Sequence, residues 1–540
     1  MSHVPEDLVA VSVDELPRDD ESEPALLHHA ARATAVLAAA GVIGQVVTLA
    51  RELFVAYQVG ISPDLDALLV AAVPPIMFAS LLSSGTAAAI VPAYLSTESA
   101  MGRRAADRLL GATLTWTLIV GIGLAAMTVM GSALFVTIAG PGLDETSKAQ
   151  AVAFAPTLAP MLVFSAIAAV MAAAFQIHDR MRSIAIAWVI GPVASAIVTV
   201  VFWKQLGLTA LAIGMTVQQA AVAVTLVLLA IRARIQPPFT ARADRTQAAR
   251  FLKHATPLTV SSSVLQLNLL TDRAVASVLA PGAVSALRYA EGVIRIPLNA
   301  VLPAWSAAIY PALTRASLIG HGSMGRAAEG ALRYVTVIFL PLSVATIALA
   351  PLIVEVAYGR GAFDAEAASL TSAALAGFAP LLLFSMLDSV LSGAHNARRR
   401  GMFLMWMGFA NAAMNAVFNV VLGRAIGVAG IALSTSLTVG FIQVIKARRL
   451  HTLDDTPLRG LANVTSRSLL VSTVVGIPLA VIARSVPSGL GIAAFGLLCI
   501  LTLVGLAGYV ILGRLVGLTE PLIVVQLLIR APMSLIGRMR

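Results

Sequence analysis

The chain has 540 residues, of which 58% are hydrophobic and only 12% charged, with a formal net charge of +10 and a mean hydropathy of +0.89. Soluble domains carry about 25% charged residues, so this composition excludes a soluble globular protein and indicates a polytopic membrane protein. The basic excess is scattered over short loops, which argues against a nucleic-acid partner, and a single cysteine, Cys499, excludes a disulfide framework or a cysteine-based metal site.

Residues 1–30 are polar and acidic, with Asp19, Asp20, Glu21 and Glu23 close together. They lack the basic start and apolar core of a cleavable signal and read as a disordered cytoplasmic tail. A bilayer span needs about 20 mainly apolar residues. The first such runs fall near 33–56, 66–93, 109–139, 149–176, 183–203 and 207–231, defining a first lobe over 31–234. A basic linker occupies 235–254. Further runs near 255–280, 284–313, 328–357, 368–394, 402–423 and 427–446 define a second lobe over 255–450. Two more, near 467–486 and 490–513, lie within 451–516, and a cytoplasmic segment, 517–540, ends the chain.

Loop charge tests this count of fourteen. One alternate set of loops holds Arg103, Arg104 and Arg108, then Arg180 and Arg182, then Arg232, Arg234, Arg242 and Arg245. The same side continues with Arg315 and Arg326, the run Arg398–Arg400, and Lys446, Arg448 and Arg449. The opposite set offers isolated residues such as Lys148, Lys204 and Arg360. Because basic loops stay in the cytoplasm, both termini are expected there.

The chain also resembles itself at an offset of roughly 220 residues. "LARELFVAYQVG" at 49–60 matches "LTDRAVASVLAPG" at 270–282, aligning Arg51 with Arg273 and Gly60 with Gly282. Pro75 then aligns with Pro297, and "GLTALAIGMTV" at 207–217 echoes "GVAGIALSTSL" at 427–437. The expected fold is therefore an all-α polytopic membrane protein. Two parallel six-helix repeats surround a central cavity, with two extra C-terminal helices.

Charges inside the spans point to the site. An unpaired Arg or Asp at mid-membrane costs at least about 2.5–3.5 kcal/mol, so such groups face a cavity or pair with one another. Arg288, Glu291 and Arg295 share one helical face by their i, i+3, i+7 spacing. With Arg51 and Arg273 from both lobes, they would make a cavity of net positive charge. The bland alternative is snorkelling or local pairing with the adjacent Glu52 and Asp272. Asp66 reads as a cap of the second span. Asn411, Asn415 and Asn419 recur at i+4, and Asn268 and Asp272 form a similar pair. Oxygen ligands suit hard cations, whereas amides bonding between helices are the plainer reading. Pro75 and Pro297 are candidate hinges, since proline in a membrane helix permits a kink.

Several strings resemble the MurJ (MviN) lipid II flippases of the multidrug/oligosaccharidyl-lipid/polysaccharide exporter superfamily. "LARELFVAYQVGISPDLDALLVAAVPP" at 49–75 is similar to that family's first-to-second span junction. The stretch 264–315 is similar to its seventh and eighth spans, "YGRGAFDAEAASLTSAAL" at 358–375 to the loop before its tenth, and 415–437 to its eleventh-to-twelfth hairpin. The resemblance implies a flippase in the bacterial cytoplasmic membrane. Its cargo would be a polyprenyl-pyrophosphate-linked peptidoglycan precursor, moved from the cytoplasmic to the outer leaflet for cell-wall synthesis. It also implies a groove on the two extra helices for the polyprenyl tail, and membrane lipids and cell-wall synthesis enzymes as partners. A sodium site would map onto Asp272, Asn415, Asn419 and Thr435, with Na+ as coupling ion and no other metal or cofactor. The family's Ser-Arg in the first span reads Gly44-Gln45 here, and its Ala-Asp-Arg in the eighth reads Ala290-Glu291-Gly292. Alternative functions are flipping of another polyprenyl-linked saccharide, cation-coupled drug export, a membrane glycosyltransferase suggested by "DLD" at 64–66, and a non-transporting cell-wall scaffold.

Overall fold

The computed structural model describes residues 22–235, 266–319, 322–454, 458–486 and 492–518. The described residues are helical, without strands. Residues 1–21 of the expected N-terminal tail, most of the basic linker and most of the C-terminal segment lie outside them, while residues 22–30, expected to be disordered, are helical.

A first set comprises α1 (Ser22–Val59), α2 (Pro63–Ala71), α3 (Val73–Met101), α4 (Arg103–Met130), α5 (Ser132–Ala139), α6 (Glu145–Leu158), α7 (Pro160–Ile177), α8 (Met181–Leu206) and α9 (Leu208–Arg232). The second set begins with α10, described over 266–279. It continues with α11 (Ala283–Ile319), α12 (Ser323–Tyr358), α13 (Ala365–Phe378), α14 (Pro380–Ala397), α15 (Gly401–Ile426) and α16 (Val428–Asp454). Last come α17 (Leu458–Ser485) and α18 (Ile492–Leu515).

Among the described residues, twelve helices or interrupted helices are long and apolar enough to cross a bilayer, and the bent α11 makes thirteen. The seventh expected span is described only from residue 266. Three of the expected spans are single runs interrupted within the helix: Pro63–Met101, Glu145–Ile177 and Ala365–Ala397. Pro74 and Pro75 open α3, and Pro160 and Pro380 open α7 and α14. A proline has no N–H to continue the preceding helix, so the hydrogen-bond ladder is interrupted there while the span continues. Elsewhere caps set the starts. Ser62 accepts from the Leu65 N–H before Pro63 at the head of α2, and Asp364 accepts from the Ala367 N–H at the head of α13. Asp144 does the same for α6; hydrogen bonds from Ser147 and Thr146 hold this exposed carboxyl below its ordinary range.

Two cores belong to one set each. Ile90, Leu110, Phe175 and Leu226 pack within the first, and Leu313, Leu332, Met386 and Leu450 within the second. A third core crosses both, joining Val55, Leu65 and Leu68 to Leu287, Tyr289, Tyr358 and Phe363. The sets are therefore fused toward one end, where α1 and α2 meet α11. The outside is apolar, with Trp116, Ile119, Val201, Trp406 and Leu503 exposed, as a lipid-facing surface requires. Some backbone details recur 220 residues apart. Asp179 and Arg399 both take positive φ, as do Gly207 and Gly427.

The helices α17 and α18 pack on α12. Leu349 and Leu352 meet Leu479, Ala483 and Leu501, and a buried polar pin adds to this. The Tyr509 hydroxyl lies 2.7 Å from the Ser468 hydroxyl and donates to the Val337 carbonyl at 3.1 Å. Hydrogen bonds between membrane helices contribute about 0.6 kcal/mol each, up to about 1.7. Tyr509→Phe should therefore lower stability by roughly 1 kcal/mol in reversible detergent unfolding. An unchanged midpoint would show that the pin carries no energy.

Candidate functional site

A cavity of about 610 Å³ lies between the two sets. Its walls carry Arg51 and Glu52 from α1, Asn268, Asp272 and Arg273 from α10, and Arg288, Glu291 and Arg295 from α11. The expected site residues of these helices are thus brought together. The cavity runs from Leu65 and Tyr289, in the shared core, to Ser80, Leu302 and Ser385.

Local pairing of neighbours, the alternative for Arg51 and Arg273, is not what forms. Adjacent residues on a helix do not face each other, and each group finds a partner on another element. The Arg288 guanidinium pairs across the sets with Glu52. Glu291 takes two cations: Arg295 donates to its Oε1 from Nε at 2.9 Å and from Nη2 at 2.5 Å, and Arg273 Nη2 lies 3.3 Å from its Oε2. Arg273 also donates to the Val284 carbonyl at 3.0 Å. Arg51 differs from all three. It is buried, and its Nη1 donates to Ser195 at 2.5 Å and Gln218 at 3.4 Å. Its Nε has no partner, and no carboxylate among the described residues forms an ion pair with it.

Four guanidinium groups thus share the cavity with the carboxylates of Glu52, Asp272 and Glu291. The excess positive charge is one, smaller than the arginine pattern alone implies. Arg51 is the guanidinium that neutral groups alone hold in place. Sequence reasoning missed Ser195 and Gln218, and their signal was a polar side chain inside an apolar run. It also missed Glu52 as a partner across the sets, which spacing along one helix cannot reveal.

Asp272, Asn415 and Asn419 also come together. Both amide groups donate to Asp272 Oδ1, at 2.9 Å from Asn415 and 2.6 Å from Asn419. Thr435 lines the cavity, but its hydroxyl donates to the Ile431 carbonyl of its own helix at 3.3 Å. Ser434 bonds Asn419 in its stead. The buried Asn415 Oδ1 has no partner. Asn268 and Asn411 form a separate bond of 2.9 Å.

The fused end is closed by backbone contact. Gly60 and Gly282 both have positive φ, 60° and 82°. A Cβ on Gly60 would lie 2.3 Å from the Ala362 carbonyl, and one on Gly282 1.9 Å from Ile61, so only glycine permits this approach. Tyr289 donates to the Gly60 carbonyl and Tyr358 to the Tyr289 carbonyl, each at 3.1 Å. Asp66 does not cap its own helix, a role held by Ser62. Its carboxylate reaches across the sets to the head of α11, accepting from the Gly282 and Ser285 N–H groups at 2.7 Å and from the Ser285 hydroxyl. The prolines also part company. Pro75 opens α3 just after the break at Ala72, but Pro297 lies within the straight 283–303 part of α11. The 47° bend falls beyond Pro303.

Two helical sets closed at one end around a charged cavity define a membrane transporter of the multidrug exporter fold. The structure aligns with the inward-facing conformation of a multidrug resistance MATE family transporter of the MOP superfamily, with a TM-score of 0.66 and 14% identity over 76% of this chain and 96% of that one. It aligns further with a structure described as "Lipid II flippase MurJ, inward closed conformation", with a TM-score of 0.75, 19% identity, and 89% and 98% of the two chains covered. The sequence model of the family "Lipid II flippase MurJ" matches residues 55–504. The chain belongs to the MurJ lipid II flippase family. Similar relatives include "Probable lipid II flippase MurJ" of Rickettsia prowazekii (strain Madrid E), 23% identical over 76% of this chain and 82% of the relative. The protein of that name from Synechocystis sp. (strain ATCC 27184 / PCC 6803 / Kazusa) is 25% identical over 74% and 77%.

The cap made by Asp66 yields a test of the closed end. In a Cys499→Ala background, Asp66→Ala should raise the labelling rate of a cysteine placed at Ile61 by roughly tenfold, the equivalent of one lost charge-assisted cap of about 1.4 kcal/mol. Equal labelling of both proteins would remove Asp66 from the closure.

Proposed function

We propose that this chain moves lipid II from the cytoplasmic to the outer leaflet of the bacterial cytoplasmic membrane by alternating access of the central cavity. The observation that carries this reading is Arg51, buried in the cavity wall with its Nε unpartnered and no carboxylate among the described residues paired to it. A pyrophosphate supplies the missing counter-charge through charge-assisted hydrogen bonds. Arg295, on the more open face of the same cavity, and Arg273 and Arg288 complete the grip by exchanging Glu291 and Glu52 for phosphate oxygens. The polyprenyl tail stays in lipid beside α17 and α18.

The arginine-rich loops lie at the opposite end from the glycine closure. Read by the positive-inside pattern, the closed end faces outward and the cavity takes cargo from the cytoplasmic side. Driving energy then comes from the membrane potential, worth about 2.3 kcal/mol per charge per 100 mV, or from a cation held at Asp272. Asn415 supports the second source, because its orphaned amide oxygen beside Asp272 is a ready ligand.

Arg51→Ala should reduce flipping of lipid II in proteoliposomes by roughly 30-fold or more, the worth of a charge-assisted contact of about 2 kcal/mol, with membrane insertion unchanged. Arg295→Ala should give a similar loss. Undiminished transport by both variants would reject anion binding in this cavity. For coupling, transport should rise with sodium, and Asp272→Ala should abolish that dependence; transport indifferent to sodium in the unaltered protein would remove the coupling role.

A further inference from the structure

A second polar cluster lies outside the arginine network, on α14 and α16. Lys446 is buried, and its ammonium donates to Asp388 Oδ1 at 2.5 Å and to the Ser392 hydroxyl at 3.0 Å. The Gln443 amide donates to the same Oδ1 at 2.9 Å, and Ser392 does so at 3.2 Å. Three donors thus converge on one oxygen of Asp388, while its side chain is 41% exposed. Gln443 is 4% exposed, and its Oε1, on the amide that touches Asp388, is buried without a partner. The cluster therefore has acceptor capacity left over at two oxygens.

Helical register places this carboxylate on the cavity-lining face of α14, beyond the residues that line the cavity itself. Leu381 and Ser385 line the cavity, and Asp388 follows them at i+7 and i+3 on the same face of α14. It lies about 10 Å along the helix from Leu381, toward the arginine-rich end. The architecture does not call for a charge there. The positions 220 residues earlier are Ala168, Ala172, Ala223 and Leu226, which fill the corresponding place with apolar packing. An ion pair that buries its ammonium stabilises no better than such packing, so the polar set calls for an explanation in binding.

We infer that Asp388, steadied by Lys446, Gln443 and Ser392, accepts a protonated primary amine on the peptide portion of the cargo while the arginines hold its pyrophosphate. The inference rests on the flippase reading above and assigns a specificity determinant to it. Lys446 fixes one carboxylate oxygen, and the other, with Gln443 Oε1, receives the ammonium N–H groups.

The test uses the purified full chain in proteoliposomes. It compares two lipid-linked disaccharide-peptides, one with a free peptide amine and one N-acetylated at that amine. The unaltered protein should flip the free amine about tenfold faster, the worth of one charge-assisted hydrogen bond to a half-exposed carboxylate. Asp388→Asn should bring this ratio close to one. Because that variant leaves Lys446 uncompensated, the double variant Asp388→Asn with Lys446→Met gives the same reading without a buried lone charge. Equal rates for the two cargoes in the unaltered protein, or a preference surviving in both variants, would overturn the inference while leaving the flippase reading intact. Movement of neither cargo by the unaltered protein would overturn both.

Discussion

The cost of an uncompensated charge inside a bilayer governs this structure. Lipid cannot solvate a guanidinium there, so each must find a carboxylate, a set of neutral acceptors, cavity water or an anionic ligand. Arg288 answers with Glu52, and Arg273 and Arg295 share Glu291. Because Glu52 and Arg288 belong to different helix sets, the demand for compensation also binds the sets together. Lobe association and cavity charge are thus one problem, and any anion that enters the cavity competes with the contacts that hold the lobes in this arrangement.

Arg51 satisfies the same constraint by other means. Ser195 and Gln218 are neutral, so they solvate its guanidinium without cancelling its charge. A carboxylate partner would have to be displaced before a phosphate could bind, whereas a hydroxyl and an amide oxygen need only share. That difference makes Arg51 the fixed cation of the cavity and leaves the paired arginines as groups whose partners can change.

Much of this was legible in the sequence, and the reasons for the remainder are specific. Long apolar runs announced the spans, since the bilayer imposes length directly. The positions Arg288, Glu291 and Arg295 were legible as a face because helical periodicity is local. The Glu52–Arg288 pair, the Asp66 cap on α11 and the Ser195–Arg51 bond were not, because each joins residues more than 140 positions apart. Asp66 shows the limit well. An acidic residue four places after Ser62 looks like a cap of its own helix, yet Ser62 already holds that role and the carboxylate is free to serve another. The 47° bend in α11 was not legible, since hydropathy carries no information on axis direction.

The two sets put opposite charges in comparable places. Ser195, Thr199 and Gly214 of the first stand 220 residues before Asn415, Asn419 and Ser434 of the second. In the first, a hydroxyl meets the cation of Arg51, and Gly214 leaves room where a Cβ would lie 2.4 Å from the Thr199 hydroxyl. In the second, two amides meet the carboxylate of Asp272, and Ser434 tightens the cluster by bonding Asn419. An anionic cargo is attracted by the first arrangement and repelled by the second unless the carboxylate is itself neutralised. A cation arriving at Asp272 would therefore favour the anion at Arg51 through the cavity's field alone. No helix need transmit the signal, because the two charged groups line one cavity and act on the same bound charge.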